Sequence, residues 1–192
     1  MDFKKLANQY RDELLDNVLP FWLEHSQDIE FGGYFSCLDR EGGVFDTDKF
    51  IWLQGREVWM FSMLYNKVEK RQEWLDCAVQ GGEFLKKYGH DGNYNWYFSL
   101  DRSGRPLVEP YNIFSYTFAT MAFGQLSLAT GNQEYADIAK KTFKIILSKV
   151  DNPNSKWNKL HPGTRNLKNF ALPMILCNLA LEIEHLLDPG YL

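Results

Sequence analysis

The residues best suited to do chemistry lie in the run Trp52-Leu53-Gln54-Gly55-Arg56-Glu57-Val58-Trp59, within an otherwise apolar stretch, Ile51–Tyr65, whose only charges are Arg56 and Glu57. Arginine is a permanent cation, and burying it unpaired would cost several kcal/mol. Two readings follow. Either Glu57 or another carboxylate holds Arg56 within the fold, or Arg56 faces a polar cavity. On a helix Trp52 lies one turn before Arg56 and Trp59 nearly one turn after it, so Trp52 and Arg56 share a face as a stacking platform beside a cation. Hydrolysis of a glycosidic bond would need two carboxylates across a cleft. Asp101 and Glu109 are the nearest candidates, and both fit the solvated end of a hairpin equally well.

Other chemistries have little support. The chain has no G-x-x-x-x-G-K-[ST] loop, and Gly32-Gly33 and Gly42-Gly43 read as turn glycines. No H-E-x-x-H or dense His/carboxylate pattern suggests a metal, and no strand–turn–helix setting supports a nucleophilic serine. Cys37, Cys77 and Cys177 are odd in number, far apart and without CxxC spacing, which excludes a disulfide framework or thiolate zinc site and fits a reducing compartment.

The 192 residues suit a single domain, 1–192, with 21 basic and 25 acidic side chains and a formal charge of −4. Mild acidity argues against nucleic acid, which requires a basic face. Aromatic residues make up 16% of the chain, enough to line a cleft where ring faces stack on sugar C–H faces as well as to build a core. The charged N-terminus has no apolar stretch of signal-peptide length. Residues 111–130 carry no charge, but Asn112, Ser115, Thr117, Thr120, Gln125, Ser127 and Thr130 make a buried helix a better reading than a membrane span. The expected location is the cytoplasm.

Periodicity sorts the helices into two kinds. Phe3, Ala7, Tyr10, Leu14, Val18 and Trp22 recur at steps of three and four among charged residues, the pattern of an amphipathic helix with one buried face. Gln72–Tyr88 and Asn132–Val150 repeat it. Between them, Ile51–Tyr65, Tyr111–Thr130 and Phe170–Leu181 are apolar around most of their circumference and should be enclosed on nearly all sides. Three hairpins, each with a solvated outer helix and an enclosed inner one, predict an all-α, two-layer toroid or solenoid. Two self-similar insertions, YFSCLDREG (34–42) and YFSLDRSG (97–104), read as short β-hairpins before inner helices. Lys156–Arg165, KWNKLHPGTR, occupies the same place in the third unit. Insertions of this kind gather on one face, often the binding face.

FGGYFSCLDREG, the W-L-Q-G-R-x-x-W helix start, YNIFSYTFATMAF and RNLKNFALPMILCNLALEI together resemble the N-acylglucosamine 2-epimerase family, in order and over nearly the whole chain. The resemblance implies an (α/α)6 barrel with its site where the inner helices begin. It also implies interconversion of N-acetylglucosamine and N-acetylmannosamine, by removing the C2 proton of the ring-opened sugar and returning it to the other face. The intermediate is an enediolate, so the site must stabilise negative charge on oxygen and supply two opposed proton carriers. Arg56 matches the family's arginine and would bind the oxyanion. Trp52, Trp59, Tyr111, Ser115, Asn169 and His161 are the expected substrate-binding residues. No cofactor is implied; a nucleotide effector fits the resemblance, although no phosphate loop is present.

Family members are about twice as long, so the three hairpins correspond to the N-terminal half of the barrel, and neither family catalytic histidine is matched. Of the four histidines, His25 and His185 read as helix-end residues and His90 as part of a Gly-rich turn, while His161 lies on the expected site side. The chain is therefore expected to be incomplete for catalysis, and either to self-associate or to lack a C-terminal half. Alternatives are an aldose–ketose sugar isomerase of the same superfamily, a glycoside hydrolase of related fold, or a non-catalytic partner-binding protein.

Overall fold

The computed structural model describes residues 1–110, 113–150 and 170–188. The helices are α1 (Phe3–Glu13), α2 (Leu19–His25), α3 (Ile51–Lys67), α4 (Gln72–Tyr88), α5 (Phe114–Thr130), α6 (Gln133–Val150) and α7 (Ala171–Glu182). The expected alternation is present from α3 to α6. The enclosed helix α5 packs against α3, α6 and α7, while α3 also packs against α4. Twelve residues of α5 are buried, among them Tyr116, Phe123 and Leu126. Its hydroxyls turn back on the helix: Thr120 donates to the Tyr116 carbonyl at 2.9 Å and Ser127 to that of Gly124 at 2.7 Å. Such back-bonding lets an uncharged polar helix enter a dry core. Among the described residues, no helix is long and apolar enough to cross a membrane.

Two expectations about buried faces need correction. The N-terminal segment is one rod broken by a π-turn over Leu14–Val18, just before Pro20, whose missing N–H cannot complete the regular ladder. Its apolar stripe is not covered: α1 has no buried residue, and Phe3 and Tyr10 are 75% and 70% exposed. At the other end, α7 buries only Leu179 and exposes Phe170, Met174, Cys177 and Leu181 along one stripe. Periodicity shows that a helix has an apolar face, but the cover must come from another element. Among the described residues, neither stripe has one.

Both insertions are hairpins. Strand β1 (Cys37–Leu38) pairs with β2 (Val44–Asp46), and β4 (Ser99–Leu100) pairs with β5 (Pro106–Val108). Strand β3 (Lys49–Phe50) joins the second hairpin along β4, so the lead into α3 is fastened to the turn that precedes α5. The two D-R-x-G turns are built alike. Asp39 accepts the N–H groups of Glu41 and Gly43, and Asp101 accepts those of Ser103 and Arg105. Gly42 and Gly104 take left-handed φ of 88° and 94°. Each lies against the ring that ends an outer helix, His25 of α2 and Tyr88 of α4, with no room for a Cβ. The third-unit insertion, 156–165, lies outside the described residues.

Candidate functional site

The W-L-Q-G-R-E-V-W run forms the first turns of α3, and its residues are used in different directions. Gln54 is buried and acts like a strand edge: the Tyr34 N–H donates to its Oε1, and its Nε2 donates to the Tyr34 carbonyl, both at 2.8 Å. Gly55 allows α3 to meet α5 backbone to backbone, since a Cβ there would lie 2.9 Å from the Phe118 carbonyl carbon. Phe118 is thereby brought beside Arg56. The guanidinium carbon stands 5.9 Å from the Trp52 ring centre and 5.4 Å from that of Phe118, and the two rings are 6.2 Å apart. Arg56 is exposed, between the first turns of two adjacent inner helices rather than against an outer one.

The structure settles what holds Arg56. Among the described residues no carboxylate lies within ion-pair distance of it, and Glu57 instead meets Ser26 at the end of α2. Arg56 is held by two aromatic rings, leaving its fork of donors available.

Trp59 stands deeper. Its indole N–H donates to Glu182 at 2.8 Å, and the Gln125 amide reaches the same oxygen at 3.1 Å, tying α3, α5 and α7 together. Ser115, in the first turn of α5, is 1% exposed. Tyr111, Asn169 and His161 lie outside the described residues. His25 ends α2, and His185 meets the Gly124 carbonyl at 3.2 Å. His90 is wedged between Tyr94 and Trp96, with the Gly92 N–H donating to its Nδ1 at 3.0 Å; burial lowers its pKa.

The loops around the site are clamped by a buried ionic cluster that sequence reading did not find. Asp28 and Lys49 are fully buried and 2.9 Å apart. Lys49 also donates to the carbonyls of Gly32 and Arg102, at 2.5 and 2.9 Å. Arg102, from the second D-R-x-G turn, grips Asp28 through two nitrogens at 2.9 and 3.1 Å. Burial alone would raise the Asp28 pKa, but Arg102 and Lys49 outweigh it and the net shift is downward. For Lys49 burial wins, and its pKa falls below the usual lysine value. The signal in the sequence was Lys49 itself, a charge at the start of an apolar run.

The carboxylates considered for hydrolysis are placed differently. Asp101 spends its oxygens on its own turn, where the Arg105 N–H, Ser103 and the Arg105 side chain hold its pKa well below the usual range. That suits a permanent anion, not a proton donor. Glu109 is exposed at the end of β5. The described residues include no group of three or more His, Cys, Asp or Glu able to hold a metal.

The Arg56 ledge therefore offers a planar cation beside two aromatic rings, with donors that no described residue takes. It can receive an oxyanion at the guanidinium and an apolar C–H face on the rings. Phe118 was missed in the sequence because it lies in a stretch that reads as uniform core.

Residues 33–192 match the family described as N-acylglucosamine 2-epimerase (GlcNAc 2-epimerase). The chain is 41% identical to N-acylglucosamine 2-epimerase of Bos taurus over 174 residues, covering 88% of this chain and 41% of that protein. Against cellobiose 2-epimerase of Dictyoglomus turgidum the identity is 29%, covering 82% of this chain and 42% of the relative. The fold matches the structure of cellobiose 2-epimerase from Bacillus thermoamylovorans with a TM-score of 0.83 and 25% identity, over 97% of this chain and 52% of that one. The chain thus spans less than half the length of the curated relatives it matches.

Proposed function

This chain belongs to the N-acylglucosamine 2-epimerase family, and we propose that it supplies the oxyanion-holding side of a sugar 2-epimerase site that interconverts N-acetylglucosamine and N-acetylmannosamine. The observation that carries this reading is the Arg56 ledge at the opening of α3: a guanidinium without a carboxylate partner among the described residues, flanked by Trp52 and Phe118.

When the C2 proton leaves the ring-opened sugar, charge moves onto the adjacent oxygen. A guanidinium already held against two rings stabilises that charge with little reorganisation. Because C2 of an N-acyl sugar carries nitrogen, the species formed is an enolate with its charge on the C1 oxygen rather than an enediolate. The parallel N–H donors of a guanidinium suit that oxygen better than a point charge would. Trp52 and Phe118 form the apolar floor for the sugar's C–H face, with Trp59 and Ser115 in the wall around it. Tyr111, Asn169 and His161, which lie outside the described residues, remain the further substrate-binding residues of this reading. The reaction changes no oxidation state and calls for no redox cofactor. The proton carriers are to be sought in the part of the barrel that this chain does not span, either a further segment of polypeptide or a second copy seated on the α1 and α7 stripes. A cytoplasmic location completes the reading, in keeping with three free cysteines.

The test is C2 deuterium incorporation into N-acetylmannosamine in heavy water, with the chain combined with the rest of an epimerase barrel. Deuterium that appears with the combination and is lost with Arg56→Ala supports the proposal. Cleavage of an oligosaccharide with no C2 exchange would replace it with a hydrolase.

A further inference from the structure

Glu57 follows Arg56 in the chain but leaves α3 on another side, toward α2. There its Oε1 meets Ser26 Oγ, and the same Oγ lies 2.5 Å from the Trp22 carbonyl oxygen. A hydroxyl has one proton to give, and a carbonyl can only accept. Ser26 can donate to Glu57 or to Trp22 but not to both. The oxygen it does not serve faces Oγ with lone pairs on both sides unless it brings a proton of its own. The Trp22 carbonyl, which already accepts the Ser26 N–H at 3.0 Å, has none to bring. A protonated Glu57 resolves the arrangement: it donates to Ser26 Oγ, Ser26 donates to Trp22, and each group is satisfied.

The surroundings favour the same state. No cation pairs with Glu57 among the described residues. The titratable groups facing it are Tyr34, from the segment before β1, and Cys77 of α4; the Tyr34 hydroxyl donates to the Cys77 carbonyl at 2.7 Å. Burial holds both of these neutral by pushing their pKa values up, and it raises Glu57 from 4.5 to about 8, even though a hydrogen bond from Ser26 to the ionised form would lower it. Glu57 and Gln54, three residues apart, fasten two neighbouring sides of α3, to Ser26 and to the Tyr34 backbone. A helix pinned on two sides cannot turn about its axis, so the residue between those anchors has a fixed heading.

We propose that Glu57 is a positioning residue for Arg56: a neutral carboxylic acid whose hydrogen bond to Ser26 locks the rotation of α3 and holds the guanidinium beside Trp52 and Phe118. That Arg56 then serves a sugar rests on the function proposed above; the coupling between Glu57 and Arg56 does not.

The experiment is a pH titration of the isotope-labelled 192-residue chain by NMR, without sugar. It follows the Glu57 side-chain carboxyl carbon and the Arg56 Nε–H signal, which the two flanking rings shift. Glu57→Gln identifies the Glu57 resonance and supplies a neutral donor of nearly the same shape. The expected result is a protonated Glu57 carboxyl at pH 6, an Arg56 signal that moves in step with Glu57 ionisation near pH 8, and no such step in Glu57→Gln, where the ring-shifted Arg56 position persists. An ionised Glu57 at pH 6 would overturn the neutral-acid assignment. An Arg56 signal unmoved while Glu57 ionises would overturn the positioning role. Because no sugar is present, neither outcome bears on the epimerase reading.

Discussion

Gly55 and Phe118 meet where α3 and α5 cross, so closely that a methyl group on Gly55 would stand 2.9 Å from the Phe118 carbonyl oxygen. The obstruction is backbone, which cannot swing aside as a side chain would. This contact sets the register that puts Phe118 beside Arg56. Gly55→Ala should cost about 1–3 kcal/mol in a urea unfolding experiment, the usual range for overpacking. It should also weaken the ring-current shift on Arg56. An unchanged midpoint would show that the two helices slide past one another easily.

The charge cluster beneath the loops makes a second prediction. Asp28→Asn leaves Lys49, with 0% side-chain exposure, without its anion. Breaking a buried pair in this way costs about 3–5 kcal/mol. Leu38→Ala, in the half-buried strand β1, provides a milder control elsewhere in the loop region. A loss below 1 kcal/mol for Asp28→Asn, measured by denaturant midpoint, would mean that the cluster is solvated.

Glu57 also gives stability a pH dependence of fixed sign. Its folded pKa lies near 8 and its ordinary value is 4.5, so between these limits the folded chain keeps a proton that the unfolded chain has released. The associated stability is complete below pH 4.5, declines as pH rises through that window, and is gone above about 8. The slope approaches about 1.4 kcal/mol per pH unit. Unfolding free energies of the wild type minus those of Glu57→Gln should fall with this sign from pH 5 to 8. A flat difference would contradict the neutral-acid assignment.

The exposed stripes on α1 and α7 bear on assembly. Phe3, Tyr10, Phe170, Met174 and Leu181 are each more than half exposed, two apolar stripes of a kind that isolated chains seldom leave uncovered. Sedimentation should show a species heavier than 22.5 kDa, and Tyr10→Asp with Met174→Asp should shift it toward the monomer. A cooperative, well-behaved wild-type monomer would show that the edges are tolerated as they stand.

Local chemistry made much of this fold legible. The alternation of solvated and enclosed helices follows from where Lys, Asp and Glu fall, and the D-R-x-G turns follow from an Asp that caps its own loop and a glycine that takes positive φ. Trp52 and Arg56 are neighbours by helical spacing alone. What remained hidden depends on distant residues. Phe118 reaches Arg56 through the close approach at Gly55, Glu57 finds Ser26 across 31 residues, and Arg102 finds Asp28 across 74. The apolar stripe of α1 was visible, but periodicity carries no information about what covers it. The candidate site was thus legible along α3 and obscure across to α5.

Arg56→Ala in an assembled, active enzyme should lower turnover by about 100-fold or more, the scale of losing one oxyanion contact. Arg56→Lys should recover little of it, because an ammonium does not reproduce the fork. Near-normal turnover of either variant, measured as kcat and kcat/KM, would remove Arg56 from the chemistry.

Whether the Arg56 ledge receives the sugar is decided by titrating the isotope-labelled chain with N-acetylmannosamine while following the Trp52 indole N–H and the Arg56 Nε–H by NMR. Both signals should shift saturably, with little change at Trp74 in the core, and the Trp52 response should be lost in Arg56→Ala. Saturable binding that leaves Trp52 and Arg56 unmoved, or an undiminished Trp52 response in Arg56→Ala, would contradict that placement of the sugar.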